Sequence, residues 1–208
     1  MEMESIDRLK RQSITEKIFP GGVLLFSKIG ETVFFSAYGV THLVSRAPVS
    51  FETIFDLASL TKPLATTLAV MRLVQHNQIK LEQHLGQLLP EFEHTDKARV
   101  KLEHLLYHNS GLPDYRPYYE ALKGVAPDSC RKALRKYLVQ EPRINPIGET
   151  VLYSDLGFMV LAWVVEHIAQ RRLDHFVVDE IYQPLGINHL FFITHKIKDN
   201  RRIFAATE

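Results

Sequence analysis

Residues 55–67 read FDLASLTKPLATT and place Ser59 three positions before Lys62, in a run with almost no other charge until Arg72. A serine hydroxyl is a weak nucleophile and needs an adjacent base or proton-accepting network. On a helix, positions i and i+3 share a face, so Lys62 comes within reach of the Ser59 hydroxyl. A lysine desolvated by apolar neighbours has a lowered pKa, as a base at neutral pH requires. A place near a helix N-terminus adds the positive end of the helix dipole, which favours developing negative charge. The purely structural alternative makes Ser59 a helix cap and lets Lys62 snorkel from the first turn. Spacing alone is weak, because Ser129 and Lys132 repeat it. There Arg131, Arg135 and Lys136 crowd the lysine on a wet face, and that copy is read as accidental.

A second element is Tyr153-Ser154-Asp155, just before a strongly apolar run. A tyrosine ahead of a helix start can project its hydroxyl toward another helix N-terminus. A nearby ammonium would lower its pKa and make the phenolate a feasible base. Ser154 or Asp155 caps the helix in either case, and Tyr153 merely packs in the bland reading. His104 and His108 are four apart, the spacing of a zinc-binding pair, but position 105 is leucine rather than the glutamate of a metalloprotease. With no third ligand marked, no metal and no cofactor are expected. Cys130 is the single cysteine, which excludes an internal disulfide and a cysteine metal site.

The elements that must hold these residues follow from periodicity. Residues 5–18 carry Ile6, Leu9, Ile14 and Ile18 at roughly helical spacing, and Pro20-Gly21-Gly22 ends that helix. GVLLFSKI and ETVFFSAYGV, parted near Gly30, read as a β-hairpin. Phe191-Phe192-Ile193 is the one other strand candidate, and it is short. Helices are expected over 61–79, over a short stretch of 101–113 closed by Asn109-Ser110-Gly111, over 128–140, over 154–171 from a Ser154 cap, and over 173–187 up to Pro184. The predicted class is α+β in a single domain over 1–208. Its first 60 residues form a helix plus hairpin, and 61–208 are mainly helical. A two-stranded sheet is marginal alone, and its unpaired edges favour self-association.

Across 208 residues, 25 Lys and Arg balance 24 Asp and Glu, for a net charge of +1. That balance gives no global electrostatic reason to bind nucleic acid or an anionic membrane. The pairs Arg171-Arg172 and Arg201-Arg202 read as solvated surface. The charged N-terminal stretch lacks the apolar core of a signal peptide. The run LGFMVLAWVV at 156–165 is of a length that suits a buried helix better than a membrane span. A cytoplasmic, soluble chain is therefore expected.

Four stretches in order, LASLTKPLATT, LEHLLYHNSGLPDY at 102–115, YSDLGFMVLAWVVE at 153–166 and IYQPLGI at 181–187, resemble the serine β-lactamase and penicillin-binding-protein superfamily. The likeness is to its class C β-lactamase-related branch of esterases and peptidases, and covers roughly residues 5–208. The opening FPGGVLLFSKIGETVFFSAYG is similar to that branch's first hairpin. The resemblance implies Ser59 as acylated nucleophile, Lys62 as proton shuttle and Tyr153 as base, acting without a cofactor on a small-molecule ester, amide or β-lactam. Asp155 matches a position often held by asparagine in the lactamases. A carboxylate aimed at Lys62 would keep it protonated, shift the base role toward Tyr153 and weaken a β-lactam reading. The family's third motif, Lys or His, then Ser or Thr, then Gly, has no match here; Lys28-Ile29-Gly30 lies in the hairpin turn. That motif's strand also supplies an oxyanion donor and partners for the hairpin. The expectation is thus an N-terminal portion of the family fold, either a serine hydrolase or a truncated, non-catalytic member serving as a binding module.

Overall fold

The computed structural model describes residues 2–193 and 202–207. Arg201, half of one basic pair read as surface, lies outside them. Chain contacts divide it into two compact units, Met1–Ala58 with Ile193–Glu208, and Ser59–Phe192. The class is α+β, with one two-stranded antiparallel sheet among the described residues.

In the first unit, helix α1 (Glu2–Thr15) precedes strands β1 (Gly21–Lys28) and β2 (Glu31–Gly39). The strands pair from Gly21↔Gly39 to Lys28↔Glu31, with a bulge between Phe26 and Ser27. Ile29 and Gly30 both take positive φ, 52° and 79°, as the tightest hairpin turns require. Leu25, Phe26, Val33 and Phe35 stay exposed on the hairpin, with Phe35 stacked on Phe51 at 4.2 Å. Sequence periodicity gave no role to the last residues, yet they return to this unit. Ile54 donates to the Ile203 carbonyl and receives the Ala205 amide, forming a parallel bridge to Phe204. A strand at 191–193 is not formed; the chain there is irregular.

The second unit is helical. A 3₁₀ turn, Ala58–Leu60, leads into a π-helical turn, Lys62–Thr67, and then α2 (Leu68–Gln75). The helix expected to run to residue 79 stops at Gln75, because Asn77 adopts φ 55°. Its amide bonds Val74 O while Gln78 N bonds Leu73 O, the paired bonds of a Schellman stop. The short helices α3 (Leu85–Leu88), α4 (Leu102–Leu106) and α5 (Tyr118–Ala121) follow. The long α6 (Pro127–Gln140) and α7 (Asp155–Ala169) then lead to α8 (Leu173–Val177) and a π turn, Val178–Tyr182.

Helix α7 is apolar nearly all round, so it takes the centre of the unit. Leu156, Phe158, Val160, Leu161, Trp163, Val164 and Val165 are buried along it, and it packs against α2, α4, α6 and α8. Among the described residues no helix is long and apolar enough to cross a membrane. The basic face of α6 is only partly wet. Arg131 and Arg135 pair with Glu166 of α7 at 3.4 and 2.9 Å, and Arg135 lies over Trp163. Arg171 and Arg172, expected as solvated surface, lie at the surface and pair there with Asp179 and Asp174.

One buried charge escaped sequence reading. Lys97 is 1% exposed; its Nζ donates to Asp96 Oδ1 at 2.8 Å and to the Glu141 carbonyl. Arg143 donates its backbone N–H to Asp96 Oδ2 and its Nε to the Asp96 carbonyl. Burial pushes the Asp96 carboxyl up, but Lys97 and Arg143 more than offset this and hold it below its ordinary value. The cluster pins residues 141–145 beside the loop that follows α4. In that loop Gly111 takes φ 80°, and its carbonyl receives the Ile144 amide at 2.8 Å.

Candidate active site

Ser59 sits in the 3₁₀ turn, exposed, one turn before the π-helical segment that starts at Lys62. It is not a helix cap: Thr61 holds that place and makes no side-chain cap bond. Pro63 is tolerated at this helix start because its missing N–H falls among groups that lack an intrahelical partner. The wide turn leaves Ala65 and Thr66 buried and is anchored by Tyr182, whose hydroxyl donates to Leu64 O at 2.8 Å. π-helical turns of this kind recur at functional sites.

Lys62 Nζ donates to Ser59 Oγ at 3.1 Å and lies 2.6 Å from Asp155 Oδ1. The second contact is an ion pair without hydrogen-bond alignment, since Oδ1 makes no aligned bond. The ammonium also lies over the Tyr153 ring at 4.7 Å and the Phe158 ring at 5.9 Å. The Lys62 side chain is 13% exposed, so these are contacts of a largely desolvated cation. Ser59, Lys62, Tyr153 and Asp155 are therefore brought to one place. Ser129 and Lys132 of the second serine–lysine spacing are both exposed on α6.

The charges on this group correct one expectation. Burial pulls the Lys62 pKa down, but the Asp155 carboxylate and the Tyr153 hydroxyl outweigh it, and the net shift is upward. Lys62 is held as a cation rather than poised as a neutral base. Tyr153 moves the other way: the Lys62 ammonium, then the Ser59 hydroxyl, lower its phenol below the ordinary value. The alternative sign foreseen for an aspartate at position 155 is the one realised.

Tyr153 is aimed by its neighbours. Ser154 is the N-cap of α7, its Oγ accepting the Gly157 amide at 3.1 Å and donating to Pro113 O at 2.6 Å. Asp155 N donates to Asp114 O, and Leu152 N to His108 O, both at 2.8 Å. Residues 152–155 are thus laced to the loop 108–114. His108, weighed as a zinc ligand, belongs to this lacing: its Nδ1 accepts the Ser154 amide at 2.9 Å. Nδ1 of His104 accepts the Lys101 amide at 3.1 Å. His108 also lies beyond the end of α4 at φ 58°, so the two rings do not share a helix face. Among the described residues no group of three ligating side chains could hold a metal. Sequence reading missed His108's part here, because a ring nitrogen accepting an amide 46 positions away leaves no local pattern.

Burial is the main cause holding both imidazoles below the ordinary 6.5, with the Lys62 ammonium adding to it at His108. In the unfolded chain both take protons more readily. Their contribution to stability is therefore complete above about pH 6.5 and is lost as pH falls through the lower folded-state values. The melting temperature is expected to decline once pH drops below about 6.5, as read by differential scanning fluorimetry. A melting temperature that is flat through that range would contradict it.

A family model described as Beta-lactamase matches residues 6–207. An N-acetylmuramyl-L-alanine amidase of Bacillus subtilis (strain 168) is 30% identical over all of this chain and 50% of its own length. A putative D-alanyl-D-alanine carboxypeptidase of Escherichia coli (strain K12) is 27% identical over 84% of this chain and 43% of its own. Among solved structures, an octameric penicillin-binding protein homologue from Pyrococcus abyssi aligns with TM-score 0.84 at 22% identity, covering 99% of this chain and 47% of that one. A hydrolase with promiscuous acyltransferase activity aligns with TM-score 0.76 at 27% identity, covering 88% and 51%. The chain spans about half the length of the curated relatives it matches.

Proposed function

The chain belongs to the beta-lactamase family, and from that premise we propose that it contributes the acylation half of a serine hydrolase site. The observation that carries this reading is Lys62 Nζ, in contact with Ser59 Oγ, the Asp155 carboxylate and the Tyr153 ring at once. Tyr153, as phenolate beside that ammonium, takes the proton of Ser59 Oγ. The freed oxygen attacks a carbonyl carbon, and the backbone N–H of Ser59 is one donor to the resulting oxyanion. Collapse breaks the bond to the leaving group, which receives the proton through Tyr153. Water then attacks the acyl-enzyme with Tyr153 again as base, releasing the acid and restoring the serine.

Relatives named as an amidase and carboxypeptidases favour carbonyl substrates of the amide type, and the neighbour named as a hydrolase with acyltransferase activity adds acyl transfer. Asp155 argues against substrates that place a carboxylate beside Lys62, since its own charge already neutralises that cation. Small-molecule esters and amides are thus favoured over β-lactams. The non-catalytic reading draws on a different observation, the exposed apolar residues of the β1–β2 hairpin and edges that no third strand joins among the described residues, which suit pairing with another chain.

The deciding experiment treats folded protein with a fluorophosphonate probe and locates the adduct by mass spectrometry. The expected result is a single adduct on Ser59 that disappears in Ser59→Ala. Folded protein that takes no probe would favour the binding-module reading.

A further inference from the structure

We propose that His108 is the positioning residue for Tyr153: its neutral Nδ1 holds the Ser154 amide that aims the tyrosine, and protonating that nitrogen releases it. The consequence for the reaction, an acid limit on Ser59 acylation, rests on the function proposed above; the positioning itself does not.

The geometry fixes His108 from both ends. Its φ of 58° belongs to the left-handed region, where glycine or asparagine is the usual choice. The backbone is locked there by the His108 amide on Leu105 O and the Asn109 amide on His104 O, a second Schellman stop, closing α4. From that pose its carbonyl receives the Leu152 amide at 2.8 Å and its Nδ1 the Ser154 amide at 2.9 Å. The two bonds bracket Tyr153 on either side along the chain. The imidazole ring lies 4.5 Å from the Tyr153 ring at 34° and 5.1 Å from Phe158. An imidazole that accepts at Nδ1 carries its proton at Nε2, and an imidazolium has no lone pair left to accept with.

The charged groups facing His108 come from two other elements. Lys62, on the π turn, opposes a second cation, and Asp155, at the start of α7, favours one. Tyr153, on the intervening segment, lies against the ring. Burial and Lys62 prevail, so the ring is neutral near pH 7 and accepts a proton only on the acid side. Lys62, pushed up, titrates far from that range.

Two substitutions separate holding from titrating. His108→Asn tolerates the left-handed backbone and offers an amide oxygen that does not titrate. His108→Gly keeps the backbone and removes the acceptor. The fluorophosphonate labelling rate would be followed against pH for all three proteins. The Ser154 amide and the His108 ring would be followed in parallel by NMR of the unreacted wild-type protein. In wild type, labelling already falls with the Tyr153 phenolate and should steepen by about a further tenfold per pH unit below the His108 midpoint, and the Ser154 amide resonance should move with that same midpoint. His108→Gly should be slow at every pH, whereas His108→Asn should recover most of that loss and keep only the Tyr153 slope, without the added steepening. Steepening that persists in His108→Asn belongs to another group and overturns the kinetic half. A Ser154 amide that ignores the His108 titration overturns the positioning itself. Were Ser59 unlabelled at every pH, the acylation reading alone would fail, and the NMR titration would still decide whether His108 holds Ser154.

Discussion

Lys62→Met is expected to slow Ser59 acylation by about 10²–10⁴-fold, the loss that follows removal of a positioned proton-transfer group. Three effects combine at this one atom. Ser59 Oγ loses the donor 3.1 Å away, Tyr153 loses the ammonium that is the first cause of its lowered pKa, and Asp155 loses its ion-pair partner. Less phenolate then exists at neutral pH, so the alkaline inflection of the labelling profile should move upward together with the loss of rate. Tyr153→Phe preserves the ring against Lys62 and His108 but removes the base, and should match Lys62→Met in rate while showing no alkaline inflection. Labelling kinetics read both, with a thermal melt to establish folding. Labelling of folded Lys62→Met at the wild-type rate would remove Lys62 from the mechanism.

Gly111→Ala is expected to cost on the order of 3 kcal/mol, from left-handed strain on a residue with a Cβ together with displacement of the neighbouring chain. An added Cβ would lie 2.1 Å from the Asn145 carbonyl oxygen, and its φ of 80° is unsuited to any side chain. That oxygen is main chain and not the flexible end of a side chain, so backbone must move. What moves is Asn145, beside which Ile144 donates to the Gly111 carbonyl and Arg143 is held on Asp96. Urea titration measures the loss. Because the same loop holds Tyr153, acylation should fall in the folded fraction as well; unchanged stability would mean the loop yields without cost.

The sequence-level reading found what local pattern can carry. Ser59 and Lys62 are three apart, Ser154 stands before an apolar run, and β-branched and aromatic residues flank the turn at Gly30; each rests on neighbours in the chain. Charge density around Lys132 differs from that around Lys62, and the two serine–lysine spacings differ in setting accordingly: Ser129 and Lys132 are exposed on α6, whereas Lys62 lies against Asp155. The sequence left two signs for the Lys62 pKa, and only the distance to Asp155, 93 positions away, chooses between them. The break after Gln75 depended on Asn77 entering the left-handed region, which a continuous helical pattern hides. Lys97 carries no local sign of burial, since its partners are Asp96 and the Glu141 carbonyl, 44 positions on. The His104–His108 spacing, set aside as a zinc pair for want of a third ligand, does not put the rings on one face either, because an i, i+4 pair shares a face only where the helix continues, and α4 ends at Leu106.

The lacing around Tyr153 is made mostly of main-chain acceptors: the carbonyls of His108, Asn109, Gly111, Pro113 and Asp114 receive donors from residues 144–155. A carbonyl is present whatever side chain the position bears. Positions that give only a backbone oxygen can therefore drift through substitution without disturbing the tyrosine, while His108, Ser110, Gly111, Leu112 and Ser154, whose own side chain or lack of one is used, cannot. Divergence among descendants of such a chain should thus be uneven, concentrated at positions whose only contribution is a backbone oxygen. The loop is a template written in peptide groups, with a few letters that have to be spelled correctly.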